Sequence, residues 1–254
     1  MADPSVESGA ATIVPPRALV LSGGPHPFHE TTPRLAELLA MSGFDVEVTE
    51  SPEEAADLLG VWSPELWVCN TLRWRMLAPK YDDLRAEHAY ATSAEVREAF
   101  PAWVRGGGNL LALHAAPICF DDWPGWGEVV GARWDWDRSG HPPLGGMEVQ
   151  VVARHPVTEA LLDSGVDRFT VTDEAYGRMW LADDVEPLTV SRWDGADHPL
   201  LWARRVGEGK VVTSTLGHGA ASFDHPSHRC ILRAAVAWLT GAGRAAAEQG
   251  DVDA

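Results

Sequence analysis

The chain has 254 residues, of which 45% are hydrophobic and 22% are charged, a composition typical of globular proteins with a well-buried core. A formal net charge of −17, with no cluster of Lys and Arg to offset it, would be repelled by a phosphate backbone. No apolar run approaches the roughly 20 residues that a membrane span needs. We therefore expect neither nucleic acid nor a membrane as partner.

The two ends of the chain differ in composition from its middle. Residues 1–16 are predicted to be a flexible leader, and they lack the basic and apolar regions of a signal peptide. Residues 241–254 are small, polar and acidic, and are predicted to be a flexible tail. No linker or repeat divides residues 17–240, so this stretch is predicted to be one domain.

Cysteine usage indicates the compartment. The three cysteines are too few and too widely spaced for a disulfide framework or a CxxC pair. We therefore predict a reducing environment and a cytoplasmic protein. The cysteines are Cys69, Cys119 and Cys230.

In the first half, strand and helix patterns alternate, which predicts a parallel sheet with helices on both faces. Thr92 and Glu95 have capping-box spacing ahead of a helix that Pro101 is expected to kink. The predicted elements are a strand at 18–22, a helix at 32–42, a strand at 44–48, a short helix at 52–59, a strand at 65–70, the helix after Thr92, and a buried strand at 109–113.

The second half is richer in strands. A hairpin-like connection at 206–209 joins the last two strands, which predicts an antiparallel addition at one edge of the sheet. The predicted elements are strands at 147–153, 168–172, 187–192, 200–204 and 210–216, and a closing amphipathic helix at 226–239.

Several predicted strands end in polar or titratable side chains. In an open α/β sheet, ligands bind beyond the carboxyl ends of the strands, so these side chains are expected to share one rim. In chain order they are His26 and His29, Asn70, His114, Asp173, Glu174 and Tyr176, and His218.

Two kinds of chemistry fit such a rim, and both stay open. His114 paired with Glu174 or Asp173 could divide acid and base work, since imidazole titrates near pH 6.5 and a carboxylate near 4. A divalent metal such as Zn²⁺ could instead be held by His29, His114 and His218. A structural role for each isolated histidine is the competing interpretation.

Other chemistries are disfavoured. Proteins of this architecture that use a covalent nucleophile place Ser or Cys at the turn after a central strand, and here that turn carries His114. Cys119 lies five residues further on and is predicted to be a buried small residue. The glycine-rich segments lack the spacing of phosphate-binding loops, so no nucleotide site is predicted.

An aromatic stretch at 121–143 contains four of the twelve tryptophans, interspersed with acids. Trp136 and His141 within it are candidate substrate-binding residues, because a Trp face packs well on a sugar ring. A packed surface loop is the alternative interpretation. Exposed tryptophans and an edge strand also favour a homodimer.

The ordered segments together resemble the ThuA-like (trehalose utilisation) family over residues 17–240. They are GGPHPFHE, RGGGNLLALHAA, GARWDWDRSGHP, ARHPVTEALL, DEAY and PLLWARRVGEGKVVTSTLGH. The resemblance implies a flavodoxin-like, class I glutamine amidotransferase-like three-layer sandwich that has lost the amidotransferase nucleophile. Its recurrent site positions would be His29, His114, Asp173, Glu174 and His218.

Two functions are consistent with these observations. The first is an enzyme that processes a carbohydrate or related polyol with the His/Asp/Glu site and without Cys chemistry. The second is a non-catalytic sugar-binding or regulatory protein on an amidotransferase-like scaffold. In both, the expected ligand is a small molecule of the carbohydrate class.

Overall fold

The computed structural model describes residues 14–241, so most of the predicted leader and tail lie outside the described residues. Within this range no helix is long and apolar enough to cross a membrane. The elements of the first half are β1 (Arg17–Leu21), α1 (Phe28–Met41), β2 (Asp45–Thr49), α2 (Pro52–Val61), β3 (Leu66–Cys69), α3 (Asp82–His88), α4 (Ala94–Arg105) and β4 (Asn109–Leu113).

The second half contributes more strands than helices, as its sequence pattern predicted. Its elements are α5 (Pro124–Val130), β5 (Ala132–Arg133), β6 (Gly145–Val151), α6 (Glu159–Asp163), β7 (Arg168–Asp173), β8 (Trp180–Leu181), β9 (Pro187–Trp193), β10 (Ala196–Val206), β11 (Gly209–Ser214), α7 (Ala220–Asp224) and α8 (Pro226–Thr240).

Nine strands form one mixed sheet in the order β2-β1-β3-β4-β11-β10-β9-β6-β7. The first five of these are mutually parallel, and the remaining four add in antiparallel fashion from β10 onward. Strands β5 and β8 pair separately. The predicted mostly parallel sheet with an antiparallel edge is confirmed.

Helices cover both faces of the parallel part. Alternate residues of β1 pack in different layers: Ala18 and Val20 pack with α1 and α8, whereas Leu19 and Leu21 pack with α2 and α4. Apart from Arg17 and Asn109 at their starts, strands β1, β3 and β4 are therefore apolar and buried, because neither face meets water.

Two helix boundaries differ from the sequence prediction. Helix α1 begins at Phe28, four residues early, because Phe28 and Thr31 are buried against the domain although the preceding residues lack a leucine pattern. The cap of α4 is Ser93, whose hydroxyl accepts from the Val96 amide, and Thr92 instead donates to Asp122. As predicted, helix α4 contains Pro101; it ends at Arg105, and its apolar face is buried.

The sheet order places a topological switch point between β1 and β3, since the chain moves from β1 to β2 on one side and then to β3 on the other. The antiparallel pair of β6 and β7 is joined to β9 through only two residue pairs, both of them from β6. Its free end reaches β11, because Asp173 at the end of β7 accepts a hydrogen bond from the Gly217 amide. The ends of β1, β4, β7 and β11 thus deliver their following residues to one rim.

Candidate functional site

His114 lies at the turn that follows β4, with a backbone φ of 44° and a side chain that is 1% exposed. This left-handed conformation is uncommon for a residue with a side chain, and it is the strained turn on which related architectures carry a nucleophile. Here the turn presents an imidazole instead.

Hydrogen bonds define the protonation of the His114 ring. Its Nδ1 lies 3.0 Å from the Thr215 carbonyl oxygen, which can only accept, so Nδ1 carries the hydrogen in the neutral ring. The lone pair is then on Nε2, and the Tyr176 hydroxyl donates to it across 3.0 Å. The ring is therefore fixed in orientation and in tautomer.

His26 approaches His114 from the loop between β1 and α1. Its ring centroid is 5.2 Å from that of His114 and 4.8 Å from that of His218. Nδ1 of His26 lies 3.1 Å from the Pro25 carbonyl oxygen, which leaves the lone pair on Nε2. That Nε2 is buried and has no hydrogen-bond partner among the described residues.

Glu174 and His218 complete the cluster. Oε2 of Glu174 is 3.1 Å from Nδ1 of His218 and 3.9 Å from Nε2 of His114. Its other oxygen, Oε1, is 3.4 Å from Nδ1 of His141. In four residues, one ring nitrogen or carboxylate oxygen of each lies within 4.8 Å of those of the other three. We call this set the histidine cluster: His26, His114, Glu174 and His218.

Asp173 lies behind the histidine cluster and its side chain is fully buried. Its carboxylate accepts from three backbone amides: Gly217 at 2.7 Å, Glu174 at 2.8 Å and His218 at 3.3 Å. Because these bonds occupy the carboxylate, the geometry favours a positioning role for Asp173 over proton transfer. Through these bonds Asp173 holds the backbone of Glu174 and of His218 in place.

The environment gives the three imidazoles different pKa values. Burial lowers the pKa of His114 well below its ordinary value, and the neighbouring His26 ring adds to this. Burial likewise lowers the pKa of His26. The Glu174 carboxylate, 3.1 Å from Nδ1, raises the pKa of His218. Burial opposes ionisation of Glu174, but His218 and the other imidazoles together hold its pKa below the ordinary value.

The structure does not bring every predicted residue to the histidine cluster. The predicted place of His29 in the site is corrected. His29 lies in the first turn of α1, its side chain is 79% exposed, and its nearest charged partner is Glu30. His26, three residues earlier, occupies the place predicted for His29. The prolines on both sides of His26 were the available signal, because they restrict it to an extended loop before the helix.

The other predicted residues divide into two groups. Tyr176 and His141 contact the cluster directly. Asn70 is fully buried and donates to the hydroxyls of Thr31 and Thr32, so it ties β3 to α1. Trp136 is 46% exposed and does not contact the cluster; its ring lies against Trp134, 6.3 Å between centroids. The prediction that Cys119 is buried is confirmed.

The sheet order and the strained turn define the class of this protein. It has the class I glutamine amidotransferase-like fold, and the turn after β4 carries a histidine. A glutamine amidotransferase from Thermotoga maritima has the same fold, with a TM-score of 0.54 and 9% identity over 89% of this chain and 98% of that chain.

Residues 17–239 match the ThuA family, described as trehalose utilisation, and the chain belongs to that family. A ThuA-like protein from Parabacteroides merdae has a TM-score of 0.69 and 17% identity, covering 90% of this chain and 91% of that one. A ThuA-like protein from Bacteroides uniformis has a TM-score of 0.66 and 18% identity, covering 92% and 95%. None of the curated proteins compared with the sequence matches it.

The anchoring role of Asp173 predicts a stability effect. We expect Asp173→Asn to lower the free energy of unfolding by about 1.5–3 kcal/mol, because an amide NH₂ would face backbone donors in place of an ionised acceptor. Urea titration measures the change. The control is Asp167→Asn, whose side chain is 71% exposed and which should shift stability by less than about 0.5 kcal/mol. Equal stability of wild type and Asp173→Asn would contradict the anchoring role.

The pKa directions predict an order of protonation. As the pH falls, His218 should take up its proton above pH 6.5, the ordinary value for histidine, whereas His114 should still be neutral below it. Imidazole ¹⁵N chemical shifts report each ring. In Glu174→Gln the pKa of His218 should fall, because the carboxylate that favours its charged form is gone. Protonation of His114 ahead of His218 would contradict the assignment.

Proposed function

We propose that this protein is an enzyme acting on a carbohydrate or related polyol, with the histidine cluster as its reaction centre. The observation that carries the proposal is the convergence of three imidazoles and a carboxylate at the rim of the sheet, one of the imidazoles on a strained turn. The family description, trehalose utilisation, supports the substrate class. The free cysteines support a reducing, cytoplasmic setting.

The charge states assign a role to each group. His114 is buried and neutral, so its Nε2 could accept a proton from a substrate hydroxyl that takes the place of the Tyr176 donor. His218 is the group whose charged form is favoured, because Nδ1 faces the Glu174 carboxylate. An acid and a base with separated pKa values therefore face the same space, which is the arrangement that hydroxyl and carbonyl proton transfers need.

Tyr176 holds the proposed base, His114, by a hydrogen bond to its Nε2. Burial raises the pKa of its phenol well above the ordinary value, so the hydroxyl stays protonated and donates to Nε2 of His114. A substrate hydroxyl that replaces this donor would find the imidazole already oriented by Thr215. Orientation of the base before substrate binds reduces the entropy that the reaction step must lose.

The histidine cluster also fits a divalent metal. Imidazole nitrogen and carboxylate oxygen are preferred Zn²⁺ ligands, and the buried, unpartnered Nε2 of His26 offers a lone pair at the site. The lowered pKa values of His26 and His114 keep both rings in the neutral form that binds metal. A bound Zn²⁺ would supply Lewis acid chemistry at a substrate oxygen.

Substitutions in the cluster test for catalysis. On a sugar that the wild type turns over, we expect His114→Asn and Glu174→Gln each to reduce kcat about 100-fold or more, the usual contribution of acid–base groups. Asparagine is chosen because it tolerates the left-handed backbone at position 114. Turnover of a panel of mono- and disaccharides, with binding measured in parallel, provides the readout.

The matched control for these variants is His29→Ala, which should retain wild-type turnover because His29 lies outside the cluster. Saccharide binding without turnover by the wild type would instead establish the second function, a non-catalytic sugar-binding protein. Unchanged turnover in both cluster variants would overturn the assignment of the reaction centre.

Metal content tests the ligand set separately. We expect the purified protein to bind about one equivalent of Zn²⁺ and His26→Ala to lose it, whereas His29→Ala keeps it. Elemental analysis and calorimetric titration with Zn²⁺ alone measure the stoichiometry. Absence of Zn²⁺ binding by the wild type would overturn the proposed metal site and leave the proposed acid–base roles intact.

A further inference from the structure

The functional atoms of the histidine cluster are closed off from solvent. The side chains of His114 and Glu174 are only 1% and 10% exposed. Nε2 of His26 is buried without a hydrogen-bond partner among the described residues, and Nε2 of His114 already accepts from the Tyr176 hydroxyl. A sugar hydroxyl or a metal ion can therefore reach these nitrogens only if part of the surrounding protein moves.

One segment lies on the solvent side of the cluster. We call residues 134–144, between β5 and β6, the cover loop. His141 in this loop is 38% exposed, and its Nδ1 is 3.4 Å from Oε1 of Glu174. The rings of His141 and Trp134 pack on that of Tyr176, with centroids 5.5 Å and 5.2 Å away. The cover loop thus lies over the carboxylate and the phenol at the cluster.

Burial distinguishes the cover loop from the other segments around the cluster. None of residues 134–144 is buried. By contrast, the segments that carry or flank the cluster all contain buried residues, at 22–23, 113–117, 173–177 and 213–217. Segments with few buried contacts open at a lower free-energy cost than core segments. The cover loop is therefore the part of this rim that can move while the fold stays intact.

A small set of hydrogen bonds holds the cover loop against the rest of the protein. The backbones of Gly140 and Gly177 exchange two bonds, of 2.8 Å and 3.2 Å. Beside them, the Ser139 hydroxyl donates to the Arg178 carbonyl oxygen across 3.1 Å. We call these three bonds the latch. Residues 135–139 also bond to one another, so this turn can move as a unit when the latch opens.

We propose that the cover loop is a lid, which the latch holds shut over the histidine cluster and which opens to admit a small molecule. This proposal rests on the proposed function, in which a ligand must reach the buried imidazoles. Closure after binding would return His141 to Glu174 and exclude water from the reaction, as lids do in other enzymes. Opening of the latch would then control how fast ligands enter and leave.

Chemical labelling of His26 measures opening independently of any reaction. Diethyl pyrocarbonate acylates an imidazole nitrogen that has a free lone pair, and Nε2 of His26 is such a nitrogen within the cluster. In Ser139→Cys/Arg178→Cys, a disulfide would fasten the latch, because the two residues face each other beside the Gly140–Gly177 pair. The oxidised protein should label at His26 about tenfold or more slowly than the same protein after reduction. Mass spectrometry locates the label.

Two controls and a second variant accompany this comparison. His29 is the internal control, because its side chain is 79% exposed and should label at the same rate in both forms. Ser139→Cys alone should show no dependence on reductant. Ser139→Ala weakens the latch without a crosslink, and it decides the question if the disulfide does not form. It should speed His26 labelling about fivefold, the effect of one lost hydrogen bond on an open–closed equilibrium.

Equal labelling of His26 before and after reduction of the crosslinked protein would overturn the lid. So would wild-type labelling of His26 at the rate of His29, or an unchanged rate in Ser139→Ala. Reductant-dependent labelling of His26 in a protein that turns over no sugar would support the lid while overturning the catalytic function. Sugar turnover that is equal in the oxidised and reduced forms would support catalysis and overturn the lid.

Discussion

The buried carboxylate of Asp173 is the constraint on which the site depends. It joins the end of β7, at the edge of the sheet, to the turn after β11 in its centre, through backbone amides of Gly217 and His218. Strand β7 lies four places away from β11 in the sheet order, and its sheet contacts alone do not bring it there. An ionised acceptor shared by several amides is strong enough to hold the two segments together.

Burial determines the electrostatics of the cluster. Three imidazoles this close could not all be charged, and desolvation keeps His26 and His114 neutral. The carboxylate of Glu174 then compensates the remaining imidazole, His218. The result is a polar centre in which neutral lone pairs and one charged pair face a common space, as acid–base or metal chemistry requires.

The turn at His114 shows how one architecture supports different chemistry. The left-handed backbone at this turn directs the side chain that it carries beyond the end of a central strand, the position at which an α/β-hydrolase-type turn places its nucleophile. With an imidazole there, flanked by the Thr215 carbonyl and the Tyr176 hydroxyl, the same geometry orients a base in place of a covalent nucleophile. The surrounding loops then decide which ligands reach it.

Sequence by itself determined the fold class, the central strands and the rim to which His114, Glu174 and His218 belong. Buried parallel strands are continuous apolar runs, and their carboxyl ends must meet. Tertiary structure decided the rest. Spacing could not choose between His26 and His29, because the start of α1 depends on burial of Phe28 against the domain. Nor could it show that Asp173 bonds to amides some 44 residues away, since such contacts exist only after the sheet has closed.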